Sequence, residues 1–120
     1  MNEHDNEVHE RWSNTDAYQQ SQSKSSKYSK EDFEVAKVDQ EAATELFVYA
    51  FGNSLPLDSD RTRAAVLAHR VAITKWFYDC SIEMQKNLAV MYVEDPRFKE
   101  YYDGRVRGLA QYVHDAIQAQ

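Results

Sequence analysis

Apolar positions recur along most of this chain at three- and four-residue intervals, the spacing that draws one stripe down an α-helix. Behind Ser29 the stripe runs through Phe33, Ala36, Ala43, Leu46, Phe47 and Ala50, and Ser29 with Asp32 three residues on reads as an N-cap beside a carboxylate. Gly52-Asn53 ends that helix. The loop 54–57 contains Pro56, and Asp58 or Ser59 starts a helix carrying Ala65, Val66, Ala68, Ala72, Ile73 and Trp76, predicted to run to about Tyr78. Ser81 can cap a third helix with Ile82, Leu88, Ala89, Met91 and Tyr92. Asp95-Pro96 is a further start signal, because proline at the first helical position loses no hydrogen bond. Asp103-Gly104 breaks the chain before a last helix with Val106, Leu109, Ala110, Val113, Ala116 and Ile117. No strand alternation, internal repeat or Gly-rich phosphate loop interrupts this pattern, so the fold is predicted to be all-α.

Residues 1–29 are different. Ser, Gln, Asn and acids dominate, and the large apolar groups are Val8, Trp12, Tyr18 and Tyr28. Burying one aromatic recovers about 4–6 kcal/mol, whereas fixing each backbone costs at least ~1 kcal/mol. The segment is therefore expected to be a mobile lid without ligand, with short helices near 3–12 and 15–25 that order when a cleft is filled. The core is expected from residue 30 to residue 120.

Trp76-Phe77-Tyr78-Asp79-Cys80-Ser81 places the lone thiol directly after three aromatics. Continued helical spacing would align His69, Ile73, Trp76 and Cys80 on one stripe, with a soft nucleophile against an aromatic wall. Phe77 is then expected in the core and Tyr78 at the rim, where its hydroxyl stays wet. Cys80 has two readings. It is a compact buried apolar group, or a thiol whose thiolate is favoured by the helix starting near Ser81, with Asp79 opposing.

The ordered pieces Glu10-Arg11-Trp12, Thr15-Asp16-Ala17-Tyr18, Lys27-Tyr28-Ser29-Lys30-Glu31-Asp32, His69-Arg70, Trp76 to Ser81, Met91-Tyr92-Val93, Asp95-Pro96-Arg97-Phe98 and Gly108-Leu109-Ala110-Gln111-Tyr112 cover nearly the whole chain. Together they resemble the TipAS domain, the antibiotic-recognition domain at the C-terminus of some MerR-family transcription regulators. The resemblance implies a globin-like all-helical domain that binds thiopeptides or other bulky heterocyclic peptides, joined in full-length members to a DNA-binding winged helix. It also implies that Cys80 is the candidate for covalent capture of a dehydroalanine-containing ligand. Residue 1 is Met and the matching pieces begin within the first dozen residues, so a free-standing recognition domain or a piece of a longer regulator is expected.

Composition narrows the function further. The chain has 120 residues, one domain's worth, and 14 Lys plus Arg against 20 Asp plus Glu give a formal charge of −6. Nonspecific nucleic-acid affinity comes mostly from neutralising phosphates, so no direct DNA contact by this chain is expected. No apolar run spans a bilayer and no signal-peptide pattern opens the chain, so a cytoplasmic location without membrane contact is expected. A single cysteine agrees with a reducing compartment. His4 and His9 miss the i, i+4 spacing of a metal pair, and no metal or cofactor is expected. Ser81, Asp79 and Glu83 form no recognisable catalytic constellation, so an enzyme is not expected.

The candidate ligand-binding residues are Trp12, Tyr18, His69, Trp76, Tyr78, Cys80, Tyr92, Phe98, Tyr101 and Tyr102. His69 reads as a contact to ligand amides or as a satisfied core histidine; a haem role is disfavoured by the aromatic crowding beside it. Tyr92, Phe98, Tyr101, Tyr102 and Tyr112 suit thiazole, oxazole and amide ligands, though most such rings are core. Asp95 is better explained as a helix cap. The alternative to ligand sensing is a protein-interaction module in which Trp12 and Tyr18 dock on a partner.

Overall fold

Capping chemistry sets where the helices begin. In the computed structural model, which describes residues 16–120 and their side chains from residue 19 onward, helices α1 (Asp16–Ser25), α2 (Lys30–Gly52), α3 (Asp60–Trp76), α4 (Ile82–Glu94), α5 (Pro96–Asp103) and α6 (Leu109–Gln118) follow in order. No strand occurs among the described residues. Ser29 closes a full capping box with Asp32, and Ser59 and Ser81 accept from the amides of Thr62 and Met84. Asp95 accepts from the Arg97 amide with Pro96 at the first turn. Each such cap contributes about 1 kcal/mol by satisfying an amide the helix itself leaves open.

Helix α6 has no side-chain cap and opens at Gly108, whose φ is 90°. A Cβ there would also lie 3.3 Å from the Phe51 ring, so glycine serves both the turn and the close packing. Leu109, Ala110, Val113, Ala116 and Ile117 of α6 are fully buried against Phe47 of α2, Val66 of α3, Ala89 of α4 and Tyr102 of α5. Helices α2 and α3 run antiparallel, as the contacts Asp39–Lys75 and Tyr49–Arg61 show. The fold is all-helical and globin-like, as expected.

Two expectations need correction. Helix α3 stops at Trp76, because Phe77 leaves helical geometry with φ −123° and ψ −62°. Residues after it therefore fall off the predicted stripe. Leu46 is 43% exposed on the outer side of α2, and Phe33, although on the stripe of the buried Ala36, is 47% exposed at the start of the helix, edge-on to Tyr28 at 5.6 Å. Helix α1 and the turn after it meet the end of α3 through three hydrogen bonds: the Lys24 ammonium donates to the Thr74 carbonyl at 2.9 Å, the Tyr28 hydroxyl to the Trp76 carbonyl at 2.6 Å, and the Asp79 amide to Gln20 at 2.7 Å. The Lys24 and Tyr28 side chains occupy carbonyls that the end of α3 leaves open, and the Gln20 side chain accepts from the backbone amide of Asp79. The expected helix at 3–12 lies outside the described residues.

Candidate functional site

Small side chains on α2 and on α3 leave space between helices unfilled. Ala36, Ala43, Ala72 and Ile73 line a small cavity of about 30 Å³ with Phe77 and His69. Gln40 and Tyr92 belong to that cavity and also to a groove of about 340 Å³. The groove lies between Lys37 and Glu41 of α2 and Arg97, Phe98, Tyr101 and Tyr102 of α5. Cavity and groove thus adjoin at Gln40 and Tyr92, and together they make the candidate cleft beside α2.

A buried hydrogen-bond chain makes its back wall. The Gln85 amide nitrogen donates to the Val66 carbonyl at 2.8 Å and to His69 Nδ1 at 2.8 Å, while the Gln85 oxygen accepts from Arg70 at 3.2 Å. His69 Nδ1 is then an acceptor, so its proton sits on Nε2 and is donated to the Tyr92 hydroxyl at 2.9 Å. Tyr92 is in turn hydrogen-bonded to Tyr102. Burial, with the Arg70 charge beside it, lowers the His69 pKa to about 4. Burial raises both phenols well above their ordinary value. The wall is therefore neutral near pH 7 and rigid, which suits a flat polar ligand more than acid–base work.

The rings at the mouth are held in the same way. Tyr101 exchanges a hydrogen bond with Thr44 at 3.2 Å and packs edge-on to Tyr102 at 4.9 Å. Phe98 leans on Tyr92 at 5.7 Å and remains 37% exposed, so one face is open to the groove. Of the sequence candidates, Tyr92, Phe98, Tyr101 and Tyr102 come together here, with His69 behind them.

The others do not join them. Trp76 donates its indole N–H to Asp39 at 2.7 Å and stacks edge-on with Tyr28 at 5.4 Å, outside both cavities. Tyr78 is 4% exposed, buried and not at a wet rim, and burial raises its pKa. Cys80 is 8% exposed and clusters with Tyr78, Ile73, Phe77 and Met84. Its thiol donates to the Ser81 carbonyl at 3.6 Å, and burial pushes its pKa up, opposing the thiolate expected from the helix end. The Cys80 cluster touches the cleft only through Ile73 and Phe77, which belong to both. Trp12 and the side chain of Tyr18 lie outside the described residues.

Sequence reasoning missed Lys37, Gln40, Glu41 and Arg97 at the groove and Gln85 behind it. Gln85, Ala89 and Tyr92 do share one helical stripe, and a glutamine on an otherwise apolar stripe was the available signal. Among the described residues no group of three metal-ligating side chains converges, and no helix is long and apolar enough to cross a membrane.

The likeness to known proteins follows the same residues. Over 117 residues the chain is 41% identical to the HTH-type transcriptional activator TipA of Streptomyces coelicolor and to that of Streptomyces lividans. It covers 98% of this chain but 46% of each relative, so the chain spans about half the length of the curated relatives it matches. The HTH-type transcriptional activator mta of Bacillus subtilis is 33% identical over 60 residues, half of this chain and 23% of its own. A solved structure of Streptomyces lividans TipAS in complex with nosiheptide superimposes with a TM-score of 0.84 at 42% identity, covering 96% of this chain and 80% of that one. With residues 4–120 matching the family as a whole, the chain belongs to the TipAS antibiotic-recognition domain family.

Proposed function

We propose that the cleft between α2 and α5 binds a multi-ring, amide-rich antibiotic of the thiopeptide kind. The observation that carries this reading is that the groove and the small cavity share the residues Gln40 and Tyr92, which sets an open aromatic mouth beside a neutral hydrogen-bonded wall. Phe98 and Tyr101 offer ring faces, and Gln40 offers an amide to an oxazole, thiazole or peptide edge. A groove of about 340 Å³ takes two or three rings, so a macrocycle enters by one edge. In this reading segment 1–29 closes over the remainder, with α1 as its anchored end.

The ligand would be read without turnover. In a longer regulator, ordering of that segment would bias an attached DNA-binding domain. As a separate domain the protein would act by sequestering the drug.

The test is calorimetry with nosiheptide, the ligand of the similar solved structure, and with a panel of other multi-ring antibiotics. Phe98→Ala is expected to weaken binding about tenfold or more, because one aromatic anchor commonly contributes ~2 kcal/mol. Trp76→Ala is expected to act through α1 and the fold, with a smaller loss of affinity in the folded fraction. Absence of binding across the panel, or unchanged affinity in Phe98→Ala, would refute the cleft.

Cys80 remains the candidate attachment point, and its environment sets how fast it reacts. Addition of the thiolate sulfur to the terminal alkene carbon of a dehydroalanine, with a solvent proton going to the α-carbon, balances without any oxidant. A buried thiol with a raised pKa holds less thiolate at neutral pH than the few per cent of a free cysteine. Reversible binding is therefore expected to be complete well before any adduct appears. Intact-protein mass spectrometry over time checks this, with Cys80→Ser expected to abolish the adduct and leave affinity unchanged. Modification as rapid as binding would show that the 78–81 turn opens freely.

A further inference from the structure

The groove has its walls on two helices, and the side chains that bridge them decide how the walls stand. Tyr101 of α5 reaches Thr44 of α2 by a hydrogen bond of 3.2 Å, and Thr44 donates in turn to the Gln40 carbonyl at 3.0 Å. Arg105 makes a second bridge. Its guanidinium donates from Nη1 to Glu45 at 2.6 Å and brings Nη2 to 3.8 Å from Glu41, while its central carbon lies over the Tyr101 ring, 5.4 Å from the centroid. Glu41 and Tyr101 line the groove from α2 and from α5, whereas Arg105 does not line it. One side chain outside the groove therefore touches a residue on each of its walls.

Local chemistry explains why an arginine stands there. Glu41 and Glu45 are four residues apart and share a face of α2, so both carboxylates come within reach of one planar fork. Arg105 follows the C-terminal end of α5, where the helix dipole favours a cation, and its backbone amide donates to the Tyr102 carbonyl at 3.1 Å. Its side chain is 27% exposed against 62% for Glu45. Ion pairs this open to water add little to stability, because solvent and salt screen them. Orientation is the larger consequence. The glutamates fix the arginine, the arginine holds the Tyr101 ring by its face, and Thr44 holds it by its hydroxyl.

We infer that Arg105 is a positioning residue for ligand binding, acting through Tyr101 and not by contact with the ligand; this rests on the binding reading of the cleft. A ring that enters between α2 and α5 needs Tyr101 already in place, because a side chain ordered only on binding subtracts its lost rotamer freedom from the affinity. Without Arg105 the ring is held at its hydroxyl and by its packing on Tyr102, and its face is free to swing. Affinity then falls although no contact to the ligand is removed.

Calorimetry with nosiheptide on single and double variants is the experiment, paired with hydroxyl-radical footprinting of the ligand-free proteins. Arg105→Gln is expected to weaken binding about three- to tenfold, the size of coupling between residues in contact, with a urea midpoint near that of the wild type. In a Tyr101→Leu background the same change is expected to matter less than about twofold, and in a Phe98→Ala background to keep its full effect. A general loosening of the fold would weaken all backgrounds alike. Footprinting is expected to show Tyr101 oxidised faster in Arg105→Gln than in the wild type, with Phe98 unchanged. Wild-type affinity in Arg105→Gln, an equal loss with and without the Tyr101 ring, or an unchanged Tyr101 oxidation rate overturns the inference and leaves the cleft standing. A wild type that binds no nosiheptide overturns it too, and the panel of other multi-ring antibiotics then shows whether the cleft reading falls with it.

Discussion

Truncating Tyr102 to alanine is expected to cost about 3–5 kcal/mol of stability, the range for removing a buried aromatic ring. Tyr102 is 1% exposed, and its ring lies 5.1 Å from that of Tyr92 and 4.9 Å from that of Tyr101. The change empties a space between α4, α5 and α6 and withdraws the hydroxyl that is hydrogen-bonded to Tyr92. A domain of this size has about 5–15 kcal/mol in total, so the variant is expected to be partly unfolded at 37 °C. Tyr102→Phe keeps the ring and loses the hydrogen bond alone, for about 1 kcal/mol. Urea unfolding of the two variants separates packing from hydrogen bonding. If Tyr102→Ala came within about 1 kcal/mol of the wild type, the ring could not be part of a close-packed wall.

Helix starts were legible in the sequence because a cap is local. Ser29 with Asp32, Ser81, and Asp95 with Pro96 each carry their own chemistry within four residues. The end of α3 was not legible for the opposite reason. Its last carbonyls are held by Lys24 and Tyr28, about fifty residues earlier in the chain, and nothing near Trp76 announces them. Extending the helix to Tyr78 then put Trp76 and Cys80 on a shared stripe that the turn at Phe77 dissolves.

The cleft was legible on one side only. Aromatics dense enough to exceed what a small core needs pointed to α4 and α5, and Tyr92, Phe98, Tyr101 and Tyr102 do meet there. The α2 side consists of Lys37, Gln40 and Glu41, which read along a sequence as an ordinary solvated face. Only the tertiary arrangement turns that face toward the rings. Leu46 failed similarly. Helical spacing identifies a stripe, but on a helix as long as α2 it does not say which of two apolar sides meets the core.

The His69 wall also sets how the protein responds to acid. His69 is neutral in the fold with a pKa of about 4, whereas an unfolded histidine takes its proton near 6.5. Above about pH 6.5 neither state binds that proton, and the contribution to the pH dependence vanishes. As the pH falls below 6.5, the unfolded state gains a proton that the folded state refuses, so stability declines. The decline continues until the folded histidine also titrates near pH 4 and then levels off. The loss amounts to about 2 kcal/mol at pH 5 and about 3 kcal/mol below pH 4, at 1.36 kcal/mol per unit of pKa difference. Urea unfolding at a series of pH values from 7.5 to 4.5 is expected to show this slope, and the same series on His69→Gln to show a flatter one. Carboxylates contribute little above pH 5, because unfolded Asp and Glu titrate near 3.9 and 4.3. Equal slopes for wild type and His69→Gln between pH 7 and pH 5 would mean that His69 accepts a proton inside the fold, and the neutral back wall assigned to the cleft would have to be given up.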